Sequence, residues 1–338
     1  MDRIESVDVF RFVAIAAVVV IHTEPFKQQN ADDLYVFINA LARFAVPFFF
    51  VISGYFWGVK IRNSDSPVSI SFDMAKKISI ILVAWSAFYL LPDKIDHILH
   101  VTWVEYLQEI YQRLRIIIHH PKTVYMRGTK VHLWFLIALL YSLGISTILI
   151  RNKHVKTLIA LSIALYVFGL LAKAYSFTPF GINIDFNTRN GPFFGTLFFV
   201  SGYLLSGRKP NQGWFAMGGM LFVAGTVMHL TEIYILWKWY GVTPIQDYVV
   251  GTYLMGVGTA MAALSNVNIF KNRILSKIGQ LTLGIYAIHY LFVDNFSSVA
   301  QSSGLLFRNL GYPVLVLLCS MVIVYILSMG KITRRFVL

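Results

Sequence analysis

A single cysteine, Cys319, stands in a chain of 338 residues, which excludes an intramolecular disulfide and any cysteine-built metal site. Charge is scarce too. Asp, Glu, Lys and Arg make up 13% of the chain and hydrophobic residues 57%, against ~25% charged in a soluble domain. Acidic residues are the scarcer sign, 16 against 29 Lys and Arg, for a net charge of +13. In a polar chain that surplus would point to nucleic acid. Here the basic residues sit in short connectors between apolar runs, where they hold cytoplasmic loops in place. No His-Glu-x-x-His, Cys-x-x-Cys, Walker lysine loop, Gly-x-Ser-x-Gly elbow or dinucleotide fingerprint occurs. Linkers rich in Ser or Pro and sequence-level repeats are also missing. The N-terminus is no cleavable signal, because Asp2, Glu5 and Asp8 precede the apolar run. What remains is an integral membrane protein.

The apolar runs approach the ~20 residues that a helix needs to cross the hydrocarbon. They predict an all-α bundle of about ten transmembrane helices. The spans are Ser6 to Thr23, Leu34 to Val59, Ile78 to Leu91, Val131 to Ile150, Val155 to Lys173, Gly191 to Leu205, Trp214 to Thr231, Tyr248 to Leu264, Leu281 to Val293 and Tyr312 to Met329. With the N-terminus inside, the inner segments hold Arg3, Lys60, Arg62, Lys76, Lys77, Arg151, Lys153, Lys156, Arg208, Lys209, Lys271, Arg273, Lys277, Lys331, Arg334 and Arg335. The outer segments hold fewer, and most of those lie in the long connector from Pro92 to Lys130, which counts little in this rule. Both termini are therefore expected in the cytoplasm. Within that connector Trp103, Val104, Leu107, Ile110, Tyr111 and Leu114 recur at helical spacing, which predicts an amphipathic helix over Val101 to Ile118 at the outer interface. Residues 1–338 read as one membrane domain with no appended soluble domain.

An ionisable residue at bilayer depth costs a few kcal/mol and needs a reason to be there. The sharpest pattern is Arg11-x10-His22 in the first span. Eleven residues at ~100° each end about 20° past three whole turns, so both side chains share one face, roughly 16 Å apart. The competing readings are an Arg11 that pairs with Asp8 and a His22 hydrogen-bonded to Glu24. Arg43 lies deep in the second span, where Pro47 should kink the helix and free a carbonyl; Ser53-Gly54 allows close helix approach. His132, His229 and Glu232 lie toward the outer face, level with His22, and His289 lies near the middle of its span.

These residues resemble a known group. Ser6-Val7-Asp8-Val9-Phe10-Arg11-Phe12-Val13-Ala14 followed by His22 is similar to the opening of the membrane-bound acyltransferase-3 family. The resemblance continues in Arg43-Phe44-Ala45-Val46-Pro47 through Tyr55, in His132-Leu133-Trp134-Phe135-Leu136, in Phe198-Phe199-Val200-Ser201-Gly202-Tyr203, and in Leu283-Gly284-Ile285-Tyr286-Ala287-Ile288-His289. It implies transfer of an acyl group, commonly acetyl from cytoplasmic acetyl-CoA, to a hydroxyl of a surface polysaccharide, lipopolysaccharide or lipid-linked glycan. Where many members carry an arginine pair before the third span, this chain has Lys76-Lys77, a point charge in place of a planar fork.

On this reading His22 is the general base or acyl carrier and Arg11 its partner in the catalytic motif. Arg43 or a backbone N–H stabilises the oxyanion, and Glu232 orients an imidazole. Arg11, Lys60, Arg62, Lys76 and Lys77 meet the CoA phosphates, and His132, Trp134 and His289 bind the acceptor. No metal and no tightly bound cofactor are expected; acetyl-CoA is a co-substrate. The expected partners are the glycan acceptor, membrane lipids and glycan-assembly proteins, with no nucleic acid, in a bacterial cytoplasmic (inner) membrane. Membrane-embedded charges and Gly-rich helices serve a secondary transporter or polysaccharide exporter equally well; the Arg11/His22 pair favours the enzyme.

Overall fold

The computed structural model describes residues 3–27, 33–92, 94 and 100–338, and among these residues every regular element is a helix. In chain order the α-helices are α1 (Glu5–Thr23), α2 (Asp33–Ala42), α3 (Ala45–Arg62), α4 (Pro67–Phe88), α5 (Trp103–His119), α6 (Pro121–Arg127) and α7 (Trp134–Arg151). There follow α8 (Val155–Leu171), α9 (Pro192–Leu205), α10 (Gly213–Tyr240), α11 (Val250–Leu264), α12 (Arg273–Gly279), α13 (Thr282–Ser302) and α14 (Tyr312–Met329). Five helical runs are long and apolar enough to cross a membrane: Glu5–Thr23, Asp33–Arg62, Val131–Arg151, Gly213–Tyr240 and Phe307–Met329. Three shorter apolar helices, α8, α9 and α11, stand beside them.

Several boundaries depart from the hydropathy reading, each for a local reason. The second span is two helices, broken at Arg43 and Phe44 rather than kinked at Pro47. Because α3 starts at Ala45, Pro47 falls in a first turn, where a missing N–H costs no intrahelical bond. The third span starts at Pro67, not Ile78: Ser66 accepts from the Ser69 amide and Pro67 opens the helix, the usual cap and first residue. Lys76 and Lys77 therefore belong to α4 and not to a connector. Beyond Thr231, α10 continues to Tyr240 and ends at Gly241, in the left-handed region at φ 65°. Likewise α13 runs past Val293 to Ser302.

The predicted amphipathic helix is α5, Trp103–His119. Thr102 and Glu105 cap it reciprocally. Trp103, Val104, Leu107, Tyr111 and Leu114 are all exposed, as an apolar face turned to lipid would be. Arg113 ties this helix to the end of α4, donating to the carbonyls of Tyr89 and Leu91.

At the centre, α3 and α9 approach through glycine. A Cβ on Gly54 would overlap the Phe199 carbonyl, and one on Gly202 would overlap the Val51 carbonyl. The two Ser-Gly-Tyr segments thus lie backbone to backbone, as small residues permit between membrane helices. Arg62 seals the same seam, donating to Ser206 Oγ and the Tyr203 carbonyl. Gly54→Ala and Gly202→Ala should each lose about 1–3 kcal/mol by forced separation of the helices. Gly219→Ala, with nothing within 4 Å of its Cβ, should be neutral or gain up to about 1 kcal/mol. Denaturant unfolding in detergent checks this; equal effects at the three sites would contradict it.

Candidate functional site

The helix α1 is continuous from Glu5 to Thr23, so Arg11 and His22 keep the one-face spacing of an ideal helix. At the first end, buried Asp8 accepts from Arg3 at 2.6 Å and from Arg11 at 2.8 Å. The Arg11–Asp8 pair therefore forms, and Arg11 also lines a cavity of about 280 Å3 together with Ser53, Lys77, Gln280 and Tyr286. A second cavity of about 690 Å3 shares Lys77 and Gln280 with it and adds Lys76, Lys331, Arg334 and Arg335. The last three arrive because the C-terminal turn folds back: Trp85 Nε1 donates to the Phe336 carbonyl at 2.8 Å, and Val337 is fully buried.

At the other end of α1, His22 lines a cavity of about 260 Å3 with Asn39, Arg43, Trp134, Arg189, Asp247 and Tyr290 among its walls. Val18 and Val46 line both this cavity and the one at Arg11. The two chambers thus lie end to end along α1 with those valines between them. His22 also borders a wider cleft of about 950 Å3 with Lys27, Gln301 and Arg308.

His22 shares its end with two other imidazoles. Its ring centroid lies 5.3 Å from that of His289 and 5.1 Å from Tyr290. His132 lies 5.2 Å from His289 and stacks on Tyr290 at 5.0 Å. His289 Nδ1 is 2.7 Å from the Tyr286 carbonyl, and His132 Nε2 is 3.1 Å from the Ala287 carbonyl. A carbonyl only accepts, so each of these nitrogens carries the proton and the other nitrogen of each neutral ring holds a lone pair. Those others, His289 Nε2 and His132 Nδ1, are buried with no hydrogen-bond partner among the described residues. The Glu24 carboxylate takes Lys27 and Tyr35, not His22. Among the described residues no group of His, Cys, Asp and Glu is gathered as metal ligands.

One carboxylate organises the remaining wall. Asp247 accepts from Arg43 at 2.9 Å, Lys173 at 2.9 Å and Arg189 at 3.1 Å. Burial pushes the Asp247 carboxyl up, but Arg189, Lys173 and Arg43 overturn that and hold it well below the usual carboxylate range. Arg43 sits where α2 breaks, and its Nε and Nη2 both donate to Asn39 Oδ1. Its forked edge is thereby occupied. Arg189 lies 4.9 Å over the Trp134 ring.

The structure therefore gathers His22, Arg43, His132, Trp134 and His289 at one end, and Arg11, Lys76 and Lys77 at the other. His289 is level with His22, not displaced toward mid-span. Glu232 is set apart. It accepts from the amides of Val250 and Gly251 and from Tyr175, so it caps the N-terminus of α11, where a carboxylate is favoured. Among the described residues its partners are those groups and not an imidazole of the cluster. His229 meets Thr252 at 3.0 Å in the same α10–α11 seam. Arg62 serves the α3–α9 seam, and Lys60 lines neither basic cavity. Missed by the sequence reading were Asp247, Arg189, Lys173 and Tyr290 at one end and Lys331, Arg334 and Arg335 at the other. The one usable signal was Lys173, Arg189 and Asp247 standing at helix ends beside apolar runs.

A family model described as an acyltransferase domain, of the acyltransferase-3 type, matches residues 4–329. The chain is also similar to two proteins of Enterococcus faecalis named amino-acid racemase. One is 25% identical, covering 62% of this chain and 29% of the relative; the other is 24% identical, covering 96% and 46%. A serine/alanine racemase of Enterococcus gallinarum is 27% identical over 62% of this chain and 30% of its own length. The chain thus spans less than half the length of these relatives. No solved structure matches it.

Asp247→Asn should cost about 3–5 kcal/mol, since three cations lose their one counter-charge. In the wild type the depressed carboxyl contributes stability that is fully present above its unfolded pKa near 3.9 and is lost as pH falls through the lower folded value. Acid unfolding monitored below about pH 4 should therefore be steeper in the wild type than in Asp247→Asn. Parallel curves would contradict the assignment.

Proposed function

Because the chain belongs to the acyltransferase-3 family, we propose that it is a membrane O-acyltransferase carrying an acetyl or other acyl group from cytoplasmic acyl-CoA to a hydroxyl of a cell-surface or lipid-linked glycan. The observation that carries this reading is the pair of chambers along α1, basic at the Arg11 end and histidine-lined at the His22 end. The cation count favours the Arg11 end as cytoplasmic, with about ten crossings in a bacterial inner membrane and both termini inside. Lys76, Lys77, Lys331, Arg334 and Arg335 suit the phosphates of the nucleotide. The pantetheine arm then enters past Arg11 and brings the thioester between Val18 and Val46 toward His22. The racemase names belong to longer relatives, and no racemisation is proposed for this chain.

The chemistry balances without a metal or redox partner. The acceptor oxygen attacks the thioester carbonyl as His22 takes its proton. The tetrahedral oxyanion forms in a field set by Arg43 and Arg189. The C–S bond breaks, the ester remains on the acceptor, and the proton on His22 passes to the departing CoA thiolate. A transient acyl-histidine divides the same step in two. The lone pair of His289 Nε2, on a ring 5.3 Å from that of His22, offers a second proton acceptor. Trp134, on the cavity wall, borders the acceptor, and His132 stands behind that wall, stacked on Tyr290.

Purified protein in lipid, given radiolabelled acetyl-CoA and a glycan fraction, should deliver label to the glycan. His22→Ala should remain inserted and lose at least the ~10²–10⁴-fold typical of one acid–base group. Arg11→Lys should impair use of acyl-CoA despite keeping its charge, as a fork becomes a point donor. Near-normal turnover in His22→Ala would overturn the assignment.

A further inference from the structure

The charges around Asp247 do not close. Arg43, Lys173 and Arg189 share that single carboxylate. The other acid on the cavity wall, Glu24, is engaged by Lys27 at 2.6 Å and by Tyr35 at 3.1 Å. The cluster around Asp247 therefore carries more positive charge than its one carboxylate answers, in a largely buried place, which a folded protein tolerates poorly unless something answers it.

The three cations differ in what they have left to offer. Arg43 spends its Nε–Nη2 edge on Asn39 Oδ1 and one Nη1 bond on Asp247. Lys173 points its ammonium at Asp247 Oδ2. Arg189 gives Asp247 only Nη1. Among the described residues its buried Nε has no hydrogen-bond partner, and its Nη2 has none either. That Nε–Nη2 edge is the planar fork that grips a carboxylate or phosphoryl group with two parallel bonds. The guanidinium carbon lies 4.9 Å over the Trp134 ring, a cation–π contact that, with the Asp247 bond, restrains the fork before any ligand arrives. Arg189 and Trp134 line the same cavity as His22.

We propose that this cavity takes acceptors bearing an anionic group, a carboxylate or a phosphoryl, seated on the free fork of Arg189 with the acceptor hydroxyl turned to His22. The substrate class follows from the proposed acyltransferase reading, on which this inference rests. The anion supplies the missing counter-charge, and Asp247 keeps the three cations from scattering when the site is empty. A neutral sugar would leave the fork unmatched.

The test is equilibrium binding to the full-length protein in lipid nanodiscs, without acyl-CoA, of D-glucuronate, glucose 1-phosphate and D-glucose. At least one anion should bind about tenfold or more tightly than glucose, as expected for a charge-assisted bidentate contact. The stronger of the two identifies the group as carboxylate or phosphoryl. Arg189→Gln should erase the preference, and Arg189→Lys, which keeps the charge without the fork, should fall between. The wild-type comparison needs no variant, and a second readout guards against misfolding: anion binding should change tryptophan fluorescence in the wild type but not in Trp134→Phe. Equal binding of all three sugars, or a preference that survives Arg189→Gln, overturns the proposal. Anion binding without acyl transfer would keep this site and defeat the enzyme reading; transfer to neutral acceptors with no anion preference would do the reverse.

Discussion

One unbroken helix carries Arg11 and His22 on a single face, and the rest of the site is arranged around that spacing. Three turns of α1 separate a basic chamber from a histidine-lined one. A helix cannot stretch, so the distance between the two chemistries is set by its rise, roughly 16 Å. The neighbours complete each end: α4, α13 and the folded-back C-terminus at Arg11, and α2, α3, α7, α13 and two connectors at His22. Anything passing from one chamber to the other must pass Val18 and Val46, the residues common to both.

Away from water, every polar group must be answered from within the bundle, and the two acids near α11 show two ways of doing so. Glu232 answers backbone amides at a helix start and stops there. Asp247 answers three cations and leaves charge to spare. The first is structural closure. The second is an unfinished account of charge, and an incomplete set of partners beside a candidate base has the character of a binding site. The histidine cluster shows the same feature on a smaller scale, with two buried lone pairs beside His22.

Much of the site was legible because helices carry it at fixed registers. Arg11 and His22 could be placed on one face by counting, and His132 and Trp134 by their position at the start of α7. Where the sequence reading failed, the determining contact was long-range. Asp247, Arg189 and Lys173 lie far apart in the chain, and nothing local says that they meet. Lys331, Arg334 and Arg335 join Lys76 and Lys77 only because the last turn folds onto α4. Glu232 looked like a buried functional acid because hydropathy cannot see a helix N-terminus packed against it. The break at Arg43 was missed for the opposite reason: Pro47 drew attention to itself, although a proline in a first turn disturbs nothing.

The central claim is that one chemistry spans both chambers, and sidedness tests it most directly. In oriented vesicles, acetyl-CoA would be supplied on the face bearing Lys76, Lys77, Lys331, Arg334 and Arg335, and a glycan acceptor on the other, with product read by mass. The account predicts an acetylated acceptor on the side opposite the donor, with no sugar crossing. Acetylation only when donor and acceptor share one compartment would leave an enzyme without a transmembrane relay. Movement of solute with no covalent product and no dependence on acyl-CoA would contradict the account altogether.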